Sequence, residues 1–176
     1  MKQINKRGQN EIVGFVAIVL VVAVAGLILF SLMIGKGNVQ EDSAEISDFI
    51  SASMYKTTDC AISFVPQYKN IEELIKECYK NPSGKCLDER KICDVLNLEF
   101  KNIIERDLEI GNEKINKGYK MNLVYKDSEI SQEEIISSVE GGNFENCRVK
   151  IGSSNPIAVG SFSSGIIDVE LEVCRG

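Results

Sequence analysis

The chain begins with a long apolar segment. From Ile12 to Ile34 no residue carries a charge, and two glycines and one serine are the only interruptions of the hydrophobic side chains. A helix over this run is about 35 Å long, slightly more than the ~30 Å hydrocarbon core of a bilayer. The pattern therefore predicts a transmembrane helix, with residues 9–35 as its bounds.

Two other structures could contain such a run. A buried core helix rarely exceeds about six turns without a polar face. A secretory signal peptide has an apolar region of about 7–15 residues, followed by small residues at its cleavage site. This run is longer, and it leaves through Leu32-Met33-Ile34-Gly35-Lys36-Gly37. We therefore expect the apolar segment to remain part of the protein.

The charges on either side of the run predict its orientation. Lys2, Lys6 and Arg7 precede it, whereas acidic residues dominate the segment that follows Lys36. Because positively charged flanks remain on the cytoplasmic side, we expect a cytoplasmic N-terminus and an extracellular domain over residues 36–176. The expected location is the cell membrane, crossed once and in contact with membrane lipid, with a surface filament as a further expectation.

After the apolar run, hydrophobic residues recur at steps of three and four. This period predicts an amphipathic stalk helix within residues 36–66, helical over about 40–62 and closed by Pro66. The apolar stripe of this helix consists of Ile46, Ile50, Met54, Thr57, Ala61 and Phe64. We expect this stripe to press the stalk helix against the domain that follows, residues 67–176.

The domain over residues 67–176 is predicted to contain helices first and an antiparallel sheet second, an α+β fold. Helices are expected at about 70–80 and 88–109, and Gly111 ends the second. The period then changes to two, because Tyr119, Met121, Leu123 and Tyr125 alternate with mostly polar residues in a half-buried strand. Further strands are expected at 144–151, 156–162 and 166–174, with a loop at Ser153–Pro156. The segment 129–139 fits either an edge strand or a short helix.

All six cysteines follow the apolar run. They are Cys60, Cys78, Cys86, Cys93, Cys147 and Cys174. An even number of cysteines in a small exported domain predicts disulfides. Free thiols and zinc are the alternatives, but zinc favours closely spaced ligand pairs and often histidine, and the chain has no histidine.

The pairing of the cysteines is open to fifteen arrangements, because spacing alone does not select one. We expect Cys147 to pair with Cys174, since both lie in strands that could be neighbours. A bond between Cys78 and Cys86 is plausible across the turn at Asn81-Pro82-Ser83-Gly84, which leaves Cys60 with Cys93.

The composition gives no sign of catalysis or of nucleic-acid binding. The net charge of −6 disfavours nucleic acid as a partner. The serine- and glycine-rich segment at residues 152–165 lacks a G-x-S-x-G motif, and no phosphate-binding glycine pattern occurs. The carboxylate pairs, such as Glu72 with Glu73 and Glu170 with Glu172, fit exposed faces. We expect no enzyme activity, no cofactor and no metal.

The residues before the apolar run carry the most specific motif. The segment from Lys6 to Phe15 is KRGQNEIVGF. It resembles the class III signal of the type IV pilin superfamily in its archaeal form, in which a basic leader ending in a small residue precedes a polar residue and an apolar helix. The resemblance implies that residues 1–8 form a leader and that Lys6, Arg7, Gly8 and Gln9 form the processing site, cut by a prepilin peptidase after Gly8.

The resemblance also implies a role for Glu11 in assembly. Bacterial members carry a glutamate at the fifth position of the mature chain, whereas Glu11 would be the third residue after cleavage before Gln9. Glu11 could pair with the terminal amine of its own or a neighbouring subunit. The alternative is an acidic residue that only complements the dipole at a helix N-terminus.

These observations lead to two main functional hypotheses. The first is a structural subunit of an extracellular type IV pilus-like filament or of a cell-surface adhesion, with a prepilin peptidase and copies of itself or related pilins as partners. The second is an uncleaved, single-pass membrane-anchored ectodomain that binds a ligand or an envelope partner. An extracellular enzyme whose site the sequence does not reveal is a third class.

Overall fold

The computed structural model divides the chain into two compact units, Met1–Glu41 and Asp42–Gly176. The residues that it describes are 6–34, 38–64, 67–127, 133–145, 147–160 and 165–176. The first unit contains helix α1 (Lys6–Ile34), whose described side chains run from Phe15 to Ser31. We refer to the second unit as the head.

The expected membrane span is not found. No helix in the described part of the chain is long and apolar enough to cross a membrane. The predicted transmembrane helix over residues 9–35, and with it the single-pass location in the cell membrane, is therefore wrong.

Helix α2 (Asn38–Met54) is shorter than the sequence predicts. Ile46, Ile50 and Met54 are buried in the core of the head, as expected for the apolar stripe of this helix. The predicted continuation to residue 62 is wrong, because the last turn closes when Tyr55 and Lys56 donate backbone hydrogen bonds to carbonyls three residues earlier.

A two-stranded antiparallel sheet replaces the second half of the predicted stalk helix. It consists of β1 (Thr57–Ala61) and β2 (Tyr68–Asn70). The two threonines that open β1 are β-branched and favour an extended backbone. The Thr58 hydroxyl donates a 2.7 Å hydrogen bond to the Lys69 carbonyl across this sheet. Phe64, which the helical period placed on the stripe, is instead 98% exposed in the loop after β1, and Pro66 lies outside the described residues.

The next two helices agree with the sequence pattern. Helix α3 (Ile71–Lys80) begins at a capping box, in which the Asn70 side chain accepts from the Glu73 N–H and the Glu73 side chain accepts from the Asn70 N–H. Helix α4 (Ile92–Asp107) starts later than predicted, because residues 81–91 form a turn and a short bridged loop. Both helices bury one apolar face in the core.

A four-stranded antiparallel sheet completes the head. Its strands are β3 (Asn116–Asp127), β4 (Glu133–Gly142), β5 (Val149–Ala158) and β6 (Gly165–Arg175), in the order β4-β3-β6-β5. The predicted strands at 119–125 and 166–174 are confirmed. The ambiguous segment 129–139 contributes to β4, so it is an edge strand from Glu133 onwards.

The predicted loop at Ser153–Pro156 is wrong, since these residues continue β5 and pair with β6. Two expected strands, 144–151 and 156–162, therefore become one. The proline is compatible with this position because β5 lies at the edge of the sheet, where one side of the backbone needs no hydrogen-bond donor. Serine and asparagine are also compatible, since Ser154 is exposed and the Asn155 side chain donates to the Ser51 hydroxyl.

The core of the head lies between its helices and one face of the four-stranded sheet. Buried residues from α2, α3, α4 and the sheet form one cluster, which includes Ile46, Leu74, Leu96, Tyr119 and Leu171. The opposite face of the sheet carries polar residues at alternate positions, among them Lys120, Asn122, Glu170 and Glu172. The head is thus an α+β unit with helices on one face of the sheet.

Candidate interaction surfaces

Helix α1 presents an apolar surface all around. Every described side chain from Phe15 to Ser31 is exposed, and the large hydrophobic ones among them are between 47% and 70% exposed. A helix that is apolar on all sides is stable when other apolar groups surround it. An exposed apolar area of this extent marks an interaction site. Helix α1 is therefore the strongest candidate surface for association.

The predicted processing site lies at the start of this helix. The backbone of Lys6, Arg7, Gly8 and Gln9 belongs to the first turns of α1. The side chains of these residues, and that of Glu11, lie outside the described residues. Cleavage after Gly8 and the charge pairing of Glu11 therefore stay predictions.

All six cysteines form disulfides within the head. Cys147 pairs with Cys174, as expected, with a Cα–Cα distance of 5.4 Å. The other two pairs are Cys60–Cys86 and Cys78–Cys93. The expected pairs Cys78–Cys86 and Cys60–Cys93 are therefore wrong.

The end of helix α2 explains this exchange of partners. Cys60 lies on β1 rather than on a stalk helix, and the neighbouring Ala61 carbonyl accepts a hydrogen bond from the Leu87 N–H. The loop that carries Cys86 therefore runs beside β1. Cys78 lies near the end of α3 and is left to pair with Cys93 in the first turn of α4.

An arginine near the C-terminus connects helix α2 to the sheet. The Arg175 guanidinium forms ion pairs with Asp42 and, at 3.0 Å, with Glu45. It also donates to the Asn116 side chain at 3.2 Å. Sequence reasoning missed this contact, because more than a hundred residues separate Arg175 from its acidic partners and no local pattern links them.

The outer face of the sheet contains a charge network around Lys126, whose weakest ion pair is with Glu133 at 4.0 Å. The Lys126 amine lies 2.8 Å from an Asp168 carboxylate oxygen and 2.9 Å from one of Glu170. The hydrogen bond to Asp168 has the largest effect on the pKa of Lys126, followed by the one to Glu170, and both raise this pKa above its usual range. Asp168 is buried, so the network satisfies a carboxylate that would otherwise be costly to bury. Glu170 is thus a structural partner rather than a solvated surface group.

Tyr119 is the largest fully buried side chain of the head. Its hydroxyl donates a 3.4 Å hydrogen bond to Glu105. Burial, together with the negative charge of Glu105, raises the pKa of Tyr119 to about 12. Tyr79, which stacks on Tyr125 with a 4.7 Å separation of ring centroids, also has a pKa raised to about 12, mainly through burial.

The raised pKa of Tyr119 predicts a loss of stability at alkaline pH. The unfolded chain loses the phenol proton near pH 10, whereas the folded chain keeps it until about pH 12. Stability is therefore fully present below pH 10 and falls as the pH rises towards 12, by about 1 kcal/mol at pH 11 and 2–3 kcal/mol in the limit. Urea denaturation at pH 9 and pH 11 measures this loss.

Tyr119→Phe should reduce this pH dependence, because phenylalanine has no proton to lose. Tyr68→Phe, at an exposed position on β2, is the matched control for removal of a hydroxyl. If Tyr119→Phe and the wild type lose the same stability between pH 9 and pH 11, the phenol of Tyr119 does not cause the loss.

Over the described ranges, no group of three or more cysteine, aspartate and glutamate residues could hold a metal ion. The outer face of the sheet has a depression lined by Lys120, Asn122, Gly152, Ser154 and Glu172, among others. Apart from Gly152, these residues have exposed or half-exposed polar side chains, which suit contact with a polar partner surface.

Known proteins provide no guide to the function of these surfaces. No protein-family model, no curated protein and no solved structure matches the chain. The apolar helix, the disulfides and the charge network around Lys126 are therefore interpreted from their own chemistry.

Proposed function

We propose that the protein is a structural subunit of an extracellular filament of the type IV pilus-like kind. Helix α1 of each copy packs among the α1 helices of other copies, and the heads cover the outside of the filament. The observation that carries this proposal is the exposed apolar surface that the described side chains of α1 form, whereas the head has a buried core of its own.

The energetics of burial support this role for α1. Large apolar side chains occur along the whole described helix, and each is worth about 1.5–3 kcal/mol when it moves from water into a packed environment. They are Phe15, Val16, Ile18, Val19, Leu20, Val21, Val22, Val24, Leu27, Ile28, Leu29 and Phe30. Packing against other copies can therefore exceed the entropic cost of ordering each new subunit.

The disulfides support an extracellular location for the filament. All three bonds lie in the head, and such bonds persist in oxidising compartments outside the cytoplasm. The stapled head is also suited to adhesion, because covalent bonds keep its surface intact when the filament is exposed to the environment.

The proposal includes processing by a prepilin peptidase, which removes residues 1–8. Cleavage before Gln9 removes Lys2, Lys6 and Arg7, so that the helix can enter an apolar bundle without the cost of burying these charges. Glu11 then compensates the new terminal amine of Gln9 in its own or an adjacent subunit.

An intact-mass measurement on the protein isolated from its native cells tests the proposal. We expect the mass of the chain without Met1–Gly8, and filaments that contain this shortened chain. Gly8→Val should leave the precursor at full length and abolish filaments, because the peptidase requires a small residue before the cut.

The matched control for this substitution is Gly160→Val. A Cβ added at Gly160 has open space, with no atom beyond the adjacent residues within 4 Å, so this variant should be processed and assembled like the wild type. A wild-type protein that still begins at Met1 in assembled form would contradict processing, and a processed protein that forms no filaments would contradict the structural role.

A further inference from the structure

The two edges of the four-stranded sheet carry charges of opposite sign. Strand β4 at one edge contains Glu133, Glu134 and Glu140 and has no lysine or arginine. Strand β5 at the other edge contains Lys150, follows directly after Arg148, and has no acidic residue. All five charged side chains are exposed. Among the described strands, β4 pairs only with β3, and β5 only with β6.

The directions of the strands make these two edges compatible. Neighbours in the order β4-β3-β6-β5 are all antiparallel, so β5 runs opposite to β4. A second copy placed beside the first in the same orientation brings its β4 next to β5 as a further antiparallel pair. We propose that the heads associate edge to edge, with β5 of one copy paired to β4 of a second copy of this chain.

The register within the sheet indicates which residues meet. One row across the sheet consists of Gly142, Gly118, Cys174 and Lys150. When two copies lie at the same height, Lys150 of one copy faces Gly142 of the next. Glu140 lies two residues further along β4 on the same face, which is the diagonal position that long side chains reach. Lys150 and Glu140 are therefore the central charge pair of the interface.

Pro156 limits the length of the pairing. Proline has no backbone N–H, so β5 cannot donate a hydrogen bond to a neighbour at this position. The paired segment consequently runs from Lys150 to Asn155 on β5 and from Gly142 to Ser137 on β4. Beyond this paired segment, Glu133 and Glu134 of β4 face the end of β5 in the other copy, which has no positively charged residue.

Charge also selects against the other edge pairings. Two β4 strands would place acidic residues against each other, and two β5 strands would do the same with basic residues, and like charges on paired strands are unfavourable. Only the mixed pair of β4 with β5 brings opposite charges together. Because this contact joins different surfaces of the two copies, it can repeat along an open row of subunits.

This inference goes beyond the proposed function, because the pairing of heads does not require helix α1. In a filament it would add a contact between heads to the packing of helices. In solution it can be measured alone when mild detergent covers the apolar surface of α1.

Zero-length carbodiimide cross-linking of the full chain in mild detergent tests the proposal. Within one copy, β4 and β5 are three strand spacings apart, about 14 Å, which is too far for a direct bond between Glu140 and Lys150. A cross-linked Glu140–Lys150 peptide therefore reports contact between copies. We expect it in the dimer band, with a yield that rises with protein concentration.

Lys120 provides an internal control, because it lies directly opposite Glu140 in the same copy. The Glu140–Lys120 peptide should appear in the monomer band at all concentrations. If this peptide forms and the Glu140–Lys150 peptide does not, edge pairing is refuted.

Charge reversal provides a second measurement that does not depend on the cross-link. Glu140→Lys and Lys150→Glu should each weaken dimer formation about fivefold in sedimentation experiments, since a surface ion pair is lost and like charges meet. The double variant restores opposite charges and should recover the affinity of the wild type. Single variants that dimerise as well as the wild type would refute the charge pair and the proposed register.

Discussion

We expect the replacement of Cys60 and Cys86 by alanine to lower the free energy of unfolding of the head by about 3–4 kcal/mol. The bond joins residues 26 positions apart. Without a cross-link of this span the unfolded chain has more conformational entropy, and this entropy favours the unfolded state by roughly 3–4 kcal/mol at 25 °C. Both cysteines are buried, so small unfilled volumes at their sulfur positions add to the loss. Because the total free energy of unfolding of a domain is small, a loss of this size is a large fraction of it.

Tyrosine fluorescence during urea denaturation measures this change in the head alone. The chain has no tryptophan, and its tyrosines all lie in the head. The midpoint of unfolding should move to a lower urea concentration in the double variant. The pair Cys78→Ala and Cys93→Ala should cost slightly less, about 3 kcal/mol, because its residues are 15 positions apart.

Single substitutions distinguish the observed pairing from the one that the sequence suggested. Cys60→Ala releases the thiol of Cys86, and a maleimide reagent should label that residue after denaturation without reductant. If Cys93 were labelled instead, the bond between β1 and the loop at residues 81–91 would be absent. Peptide mapping identifies the labelled cysteine directly.

The sequence predicted the elements whose local signals agree with their environment in the fold. Helix α3 has a capping box, and Ile71, Leu74, Ile75 and Cys78 form its buried face. Strand β3 alternates over Tyr119, Met121 and Leu123, because its inner face packs on the helices and its outer face is polar. In both elements, propensity and burial favour the same structure.

The errors arose where local and tertiary preferences differ. Thr57 and Ala61 continue a helical period by coincidence, but pairing with β2 gives this segment an extended backbone. The serine, asparagine and proline of β5 are typical of a loop, yet an edge strand accepts them when its other side is hydrogen-bonded to β6. The exchange of disulfide partners followed from the first of these errors, since the position of Cys60 depends on where α2 ends.

The candidate surfaces were only partly accessible to sequence reasoning. The apolar run over α1 was evident, whereas its interpretation as a membrane span was wrong. The opposite charges of β4 and β5 were visible in the sequence, but their meaning depends on the strand order, which places these two strands at opposite edges. The order of strands in a sheet depends on contacts between residues far apart in the chain, and no local sequence pattern indicates it.

A lysine in the middle of helix α1 should abolish filaments. In the proposed filament, Val22 is enclosed by apolar side chains of other copies. An unpaired ammonium in that position costs several kcal/mol for each added subunit, which lowers the affinity of subunit addition by a factor of a hundred or more. We therefore expect no surface filaments from Val22→Lys by electron microscopy, at matched amounts of cellular protein.

Two variants make this result specific to the packing of α1. Val22→Leu keeps the position apolar and should assemble. Tyr55→Lys adds the same charge in the head, at a residue that is 75% exposed where Val22 is 65% exposed, and it should also assemble. Both positions are well exposed in the single chain, but in the proposed filament Val22 becomes buried and Tyr55 does not, so the same charge should have different effects at the two positions. Normal filaments from Val22→Lys would show that α1 does not form the filament core.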